Sequence, residues 1–376
     1  MFISAAEPSA DRHGAALIHA VRTICPAVRF VGVAGPAMVA AGCWPVFDMT
    51  RHAAMLLGAV SVLGRAARMI ATCERYLRRF PFDAAVVIDS PTLHLPLAAR
   101  ANAVGIPVLY YIAPQLWAWG ASRIHRLRDR VDHLAVILPF EEAYFRDRGV
   151  DATYVGHPLA DAVASEQLDL DVIRAIRGRG SPVVALLPGS RRHVVREVLP
   201  GQLDVARRIA ADMPGAVFAA SVANRDVAPI IEPAVASAGV AVSTPRARLA
   251  ELIRAADLVL VASGTTTLEV ALHERPMIVM YNASRLLYHA IGRWIVNTPH
   301  LSLPNILAGR TIVPEFMPYY RSAAPIAEHA IRLLQDTDAR AAIAEALARA
   351  VRPIRIPGAA GRTAALLRRM IAHPHA

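Results

Sequence analysis

Residues 263–269, SGTTTLE, place one glycine, four small hydroxyl side chains and one carboxylate within seven positions. They follow LVLVA at 258–262, an apolar run with β-branched residues that reads as a buried parallel strand, and they lead into an apolar helical pattern over 268–272. Gly264 permits a sharp turn and close approach of a ligand to the backbone. The hydroxyl residues suit a helix N-terminus, where free N–H groups face an anion. Glu269, one turn further on, has the chemistry to accept hydrogen bonds from a ribose diol. An ordinary capped strand–helix turn fits the same letters equally well.

Four further stretches follow strand-like runs. SAAEPSAD at 4–11 reads as a turn, with Asp11 as cap of the next helix. DSPTLH at 89–94 begins with an acid at a strand end, either a general base or a helix cap. LLPGSRR at 186–192 joins a strand, a Pro-Gly turn and two guanidinium groups, which give geometrically fixed phosphate contacts. SLPNILAGR at 302–310 contains Asn305, one of only five asparagines, which reads as a turn residue or a ligand contact. Two stretches stand apart. PQLWAW at 114–119 carries Trp117 and Trp119, which either line an acyl or sugar pocket or pack internally. MLLGAVSVLGRAARM at 55–69 is apolar with Arg65 and Arg68, and reads as a buried helix or as an amphipathic element on a membrane surface.

The elements that must hold these residues alternate in type. Strands are expected at 2–4, 30–33, 84–88, 108–112 and 134–137, with helices at 12–24, 60–79, 95–104 and 140–148. A polar stretch at 156–171 reads as a linker. The alternation then restarts, with strands at 183–187, 216–220, 240–243, 258–262 and 277–281, helices at 196–211, 227–238 and 266–273, and helical segments to the end. This rhythm predicts α/β architecture: two doubly wound Rossmann-like domains in tandem, each with a parallel sheet. The expected division is 1–165, 166–350, and a C-terminal helical segment at 351–376 packing back on the first domain. Ligands on such sheets sit at the carboxyl ends of the strands, beside the point where strand order reverses.

Composition narrows the classes. At 376 residues two domains are the natural size, and 55% hydrophobic content excludes disorder. The longest apolar run, near 53–64, is too short for a bilayer, which needs about 20 residues. Glu7 and Asp11 come too early for a signal peptide. Three scattered cysteines show neither metal spacing nor a disulfide framework. A cytoplasmic protein is expected. All 41 basic residues are arginine, so a single arginine is weak evidence of a phosphate site. Their distribution is more telling: residues 1–170 hold 16 arginines against 15 acids, and residues 171–376 hold 25 against 15. A polyanionic ligand or an anionic membrane suits that excess, and no nucleic-acid-recognition signature is present.

Taken together, AEPSAD (6–11), APQLWAW (113–119), LPFEEAYF (138–145), VGHPLAD (155–161), LLPGSR (186–191), ASGTTTLE (262–269) and SLPNILAGR (302–310) make the chain resemble the lipid-A-disaccharide synthases, glycosyltransferases of the GT-B fold. The resemblance spans nearly the whole chain and implies an inverting transfer of diacylglucosamine from UDP-2,3-diacylglucosamine to the 6-hydroxyl of 2,3-diacylglucosamine 1-phosphate, releasing UDP. It implies no cofactor and no metal. It places UDP-sugar in the second domain, at Arg191, Ser263, Gly264, Thr265, Thr266, Glu269 and Asn305, and the acceptor in the first, with Ser9, Trp117 and Trp119 as candidates. Peripheral association with the cytoplasmic face of the inner membrane is expected, a homodimer is left open, and no nucleic acid is involved.

The chain also departs from the family pattern. Ala6 and Ala10 replace glycines of the first loop. The family commonly reads IDxPDFN in the loop at Asp89, with its second acid the favoured base, and here that position is Thr92 and the Asn position is His94. A threonine does not act as a base at neutral pH. Asp89 and His94 are therefore the expected bases, His94 because an extended loop puts 92 and 94 on one face; a His94 that only packs or binds an acceptor phosphate fits the sequence about equally well. Glu7, Asp11 and His13 in the first loop come next. The alternatives are another UDP-sugar enzyme of this fold, or a UDP-sugar-binding protein without turnover.

Overall fold

The computed structural model describes residues 1–48, 59–118, 120–245, 248–282 and 299–372. The chain forms two compact units, one of residues 1–162 with 356–376, the other of residues 163–355.

The first unit is built on seven parallel strands: β1 (Phe2–Ala5), β2 (Phe30–Val33), β3 (Cys43–Phe47), β4 (Ala85–Ile88), β5 (Val108–Tyr111), β6 (His133–Val136) and β7 (Ala152–Tyr154), in the order β3-β2-β1-β4-β5-β6-β7. Its helices are α1 (Pro8–Ile24), α2 (Pro36–Ala40), α3 (Ala59–Arg79), α4 (Pro91–Asn102), α5 (Ile124–Arg128), α6 (Pro139–Arg146) and, at the junction with the second unit, α7 (Pro158–Ala164). Successive strand residues point to opposite faces. Phe2, Val87, Tyr110 and Leu134 therefore join one buried cluster, while Ile3, Val86, Ile88, Leu109 and Tyr111 join the other. With helices covering both faces, the central strands are buried along their whole length and apolar but for Ser4 and the tyrosine hydroxyls of β5, as suits buried parallel strands.

The second unit holds α8 (Leu170–Arg177), β8 (Val183–Leu187), α9 (Arg192–Asp212), β9 (Val217–Ala220), α10 (Ala228–Ala236), β10 (Val242–Ser243), α11 (Leu249–Ala255), β11 (Leu258–Ala262), α12 (Thr265–Leu272), β12 (Met277–Met280), α13 (Leu303–Ala308), β13 (Glu315–Phe316), α14 (Ala324–Gln335) and α15 (Thr337–Val351). Its parallel sheet runs β10-β9-β8-β11-β12-β13. The chain then returns to the first unit, where α16 (Ala359–Ala372) packs on α1 and contributes Ala364, Leu366 and Leu367 to the cluster around Ile3.

Both units are doubly wound, as expected. Three strands were not expected from the sequence, β3, β7 and β13, and all are sheet edges. β3 tolerates Pro45 because an edge strand bonds on one side only, and Trp44 on it is 70% exposed. The helices α2, α5 and α11 were missed as well. The stretch read as a linker, 156–171, contains all of α7 and the start of α8, with Asp169 capping the latter through the N–H groups of Asp171 and Val172. The apolar stretch at 55–69 lies outside the described residues as far as 58, and α3 carries the rest.

Candidate functional site

In each sheet the strand order reverses once, between β1 and β4 in the first unit and between β8 and β11 in the second. The loops leaving these four strands hold most of the candidate residues.

In the first unit Glu7 precedes α1 in extended conformation, half-buried, and its Oε1 accepts the Ser90 hydroxyl at 3.3 Å. Ser9 is half-buried in the first turn of the same helix. Asp11 was expected to cap the helix that follows it, but it lies within α1 and is 4% exposed. Its carboxylate instead accepts the N–H groups of Gly35 (2.9 Å), Ala37 (2.9 Å) and Met38 (3.1 Å), tying α1 to the start of α2. With both oxygens so engaged, Asp11 is a structural anchor and not a base. His13, half-buried, has its pKa pushed down to about 4, first by burial and then by the Arg12 charge.

The loop after β4 is unusual in its backbone. Asp89 (φ 54°) and Ser90 (φ 46°) are consecutive non-glycine residues in left-handed conformation, and Ile112, just past the neighbouring β5, has φ 63°. For a β-branched residue this is a true outlier. Such strain persists only where surrounding structure holds it, and it gathers at functional sites. Ser90 is followed at once by α4, so the loop is not extended. Thr92 is exposed, whereas His94 is fully buried. The shared face expected for residues 92 and 94 therefore does not exist. His94 Nδ1 lies 2.6 Å from the Asp89 carbonyl and Nε2 lies 2.9 Å from Ser4 Oγ. Burial drives its pKa down to about 4, against the pull of the backbone carbonyl. Both nitrogens are occupied and no solvent reaches the ring, so the expectation that His94 is the base fails.

Trp117 is half-buried and stacks edge-on to Phe140 at 5.0 Å between centroids. Its Nε1–H donates to Glu141 Oε1 at 3.0 Å, while the other Glu141 oxygen accepts from the N–H groups of Ile137 and Leu138. Burial pushes the Glu141 pKa up to about 7. Trp119 lies outside the described residues. Ser4, Ser90 and Glu141 lie in stretches the sequence picked out, and Tyr110 and Ile112 in an expected strand, but it assigned none of the five a role. Ser4 carried a signal, as a hydroxyl inside the buried strand FISA needs a partner.

In the second unit Arg191 is exposed at the N-cap of α9. Ser263 is half-buried, and Gly264 follows with φ 143° and ψ −165°, a conformation effectively reserved for glycine. A Cβ there would meet nothing within 4 Å, so backbone conformation and not lack of room demands glycine. The expected hydroxyl cap is absent: no side chain caps α12, and the Thr267 hydroxyl donates back to the Gly264 carbonyl at 2.7 Å. Thr265 is exposed and Thr266 half-buried at the start of the helix. That leaves the helix end open to an anion. Glu269, half-buried one turn on, has its pKa pushed up to about 7, by burial first and then by the nearby Glu166 carboxylate. Tyr281, past β12, hydrogen-bonds Glu197 of α9 near Arg191, a group the sequence did not reveal.

Asn305 is not placed to touch a ligand. It is fully buried. Its amide donates to the Val313 carbonyl (2.9 Å) and Glu315 Oε1 (2.7 Å), and its oxygen accepts from the N–H groups of Ile312 (2.7 Å) and Val313 (3.0 Å). All four bonding positions of a carboxamide are spent. Glu315 also accepts from the N–H and hydroxyl of Ser302, so SLPN is a clamp that seats α13, which packs on α12.

The family model for lipid-A-disaccharide synthetase matches residues 1–357. The chain belongs to the lipid-A-disaccharide synthase family. It is 36% identical to the lipid-A-disaccharide synthase of Trichlorobacter lovleyi, over 99% of this chain and 97% of that protein. It is likewise 36% identical to that of Syntrophus aciditrophicus, over 97% and 96% of the two chains. As a member of this family it is a hexosyltransferase that forms the lipid A disaccharide, with a UDP-sugar and a lipid-linked sugar phosphate as substrates. Solved structures agree at the level of the fold. A putative UDP-N-acetylglucosamine 2-epimerase from Listeria monocytogenes superposes with a TM-score of 0.65 at 14% identity, covering 100% of this chain and 95% of that one. MurG from Acinetobacter baumannii gives 0.60 at 14% identity, covering 98% and 99%. The GT-B architecture of this family member therefore holds. Among its described residues no cluster of three or more metal-ligating side chains occurs, and no helix is long and apolar enough to cross a membrane.

Proposed function

We propose that the chain transfers 2,3-diacylglucosamine from UDP to the 6-hydroxyl of 2,3-diacylglucosamine 1-phosphate with inversion, and that Asp89 is the base. The diphosphate charge is met by the open N-terminus of α12 and by Arg191, with Ser263, Gly264, Thr265 and Thr266 lining the approach and Glu269 accepting the ribose hydroxyls. The acceptor binds in the first unit, with Ser9 and Trp117 among its contacts. One observation carries the choice of base. Of the acidic and basic groups near the β1/β4 reversal, Asp11 is committed to three backbone N–H groups and His94 is sealed, whereas Asp89 stands half-buried at the strand end in strained backbone. Glu7 touches the same loop through Ser90 and serves to orient it.

Asp89→Asn is the test. Loss of a general base lowers turnover by about a hundredfold or more and leaves UDP affinity intact. Mass spectrometry of the disaccharide product reads the first, calorimetry with UDP the second. Near-normal turnover removes Asp89 from the role.

The reading includes peripheral association with the cytoplasmic face of the inner membrane and leaves the homodimer open, with light scattering as its test. Acylated substrates and the arginine excess of residues 171–376 support the membrane part. Flotation with anionic liposomes should show binding that falls with salt, since about 1 kcal/mol per surface basic residue is screened. A chain that stays unbound at low salt contradicts it.

A further inference from the structure

The group that replaces the family asparagine at position 94 is not idle. We infer that His94, with Ser4 and Tyr110, is a positioning device that holds the Asp89–Ser90 turn in its left-handed conformation and so aims the Asp89 carboxylate. The inference rests on Asp89 being the base.

The Asp89 carbonyl can only accept, so both of its partners must donate. These are Tyr110 Oη–H at 2.7 Å and His94 Nδ1–H at 2.6 Å. A neutral imidazole that donates from Nδ1 accepts at Nε2, and the Ser4 hydroxyl at 2.9 Å supplies that proton. The ring stays neutral because burial holds its pKa near 4, so this tautomer persists across the working pH range. Ser4, His94 and Tyr110 are each fully buried, and the two rings meet edge-on at 6.5 Å. The three sit on different elements: Ser4 within β1, His94 in α4, Tyr110 in β5. One carbonyl is thus gripped from two directions at the residue where the backbone enters the left-handed region. Polar groups buried in this way are costly unless paired, so the network favours one geometry of the turn over its alternatives. Ile112, strained beside it, is held by its own N–H bond to the Ala135 carbonyl at 3.0 Å.

The experiment measures kcat, KM and pH profile in His94→Phe, His94→Asn and Tyr110→Phe, each first shown to be folded by circular dichroism. The Phe variant keeps the ring and loses both polar ends. Its kcat should fall on the order of thirtyfold, because a small misplacement of a catalytic group is amplified in the rate, while KM for the UDP-sugar stays within twofold. The Asn variant retains a donor for the Asp89 carbonyl and should recover most of that loss. It should also keep the acid limb of the pH profile, which belongs to another group. Tyr110→Phe removes only one hydroxyl from an intact core and should lower kcat several-fold. Normal kcat in both Phe variants overturns the inference. An Asn variant as slow as His94→Phe, or one that has lost the acid limb, also overturns it, since the ring itself would then be moving the proton. Asp89→Asn in the same assay separates the two claims: intact turnover there removes the base and with it the aim of the device, whereas slow turnover there with normal kcat in both Phe variants removes the positioning role alone.

Discussion

The two strand-order reversals solve different problems with the same topology. At β1/β4 the chain spends buried polar groups on holding backbone still, Asp11 on the start of α2 and His94 and Tyr110 on the Asp89 carbonyl, and half-buried Glu7 adds a bond from the Ser90 hydroxyl. At β8/β11 it leaves backbone open: Gly264 adopts a conformation unavailable to other residues, no side chain caps α12, and Thr265 faces solvent. A group that must meet one proton at one angle gains from rigidity. A site for a diphosphate gains from N–H groups that are free until the ligand arrives. Asn305 adds to the contrast, because the support behind α12 is itself closed and fully bonded while its working end is not.

That last distinction gives the largest expected effect. Asn305→Ala strands the N–H groups of Ile312 and Val313 and the Val313 carbonyl in a buried setting, each worth about 1–3 kcal/mol when unpaired, with water recovering part of the sum, while Glu315 keeps its bonds from Ser302. A loss of about 3–4 kcal/mol is expected, read as a lower denaturant midpoint for the second unit. UDP affinity measured well below that midpoint should change less than threefold. A large loss of affinity in a chain of unchanged stability would return Asn305 to the ligand.

Arg191→Ala and Glu269→Ala should show the reverse pattern, nearly normal stability and UDP binding weaker by about 1.5–3 kcal/mol, ten- to a hundredfold. Glu269 adds a pH signature. Its pKa is raised to about 7, so the carboxylate form, which the proposed ribose contact requires, is scarce below that pH and dominant above it. UDP affinity should therefore rise about tenfold between pH 6 and pH 8. Glu269→Gln should flatten the curve. A wild-type affinity that is level over this range, or one that falls, takes the ribose away from Glu269.

How much of this the sequence disclosed follows from how local each cause is. β8 and β11 were readable to the residue because strands covered on both faces are unbroken apolar runs ending at turn residues. Gly264 was readable because a glycine between such a strand and a helix has few other uses. β3 and β13 were not, since an edge strand needs neither length nor apolar faces. Asn305 was misread as a ligand contact because its partners lie up to ten residues away across a loop. For His94 the sequence could not choose between base and packed side chain: its partner Ser4 is 90 residues distant in the chain, and no residue in DSPTLH announces the left-handed backbone of the turn.

The smallest expected effect bears on the position where this chain leaves its family. Thr92 is the second residue of α4 and is exposed. Thr92→Asp restores the family acid in the first turn of a helix, where a carboxylate gains about 0.3–1 kcal/mol from the helix dipole. Stability should rise by that amount. Turnover should move only a few-fold, for two reasons. If Asp89 already takes the proton, a second acid one turn away supplies nothing the reaction lacks. Two nearby carboxylates also raise each other's pKa, which strengthens the base only slightly, so any rise in turnover should be small. The variant therefore weighs the rigid site against its sequence more sharply than any deletion does. A rise in turnover of tenfold or more would mean that the acid belongs at 92, that Asp89 only shapes the turn, and that the strain at Asp89–Ser90 serves the first turn of α4 and not the strand end.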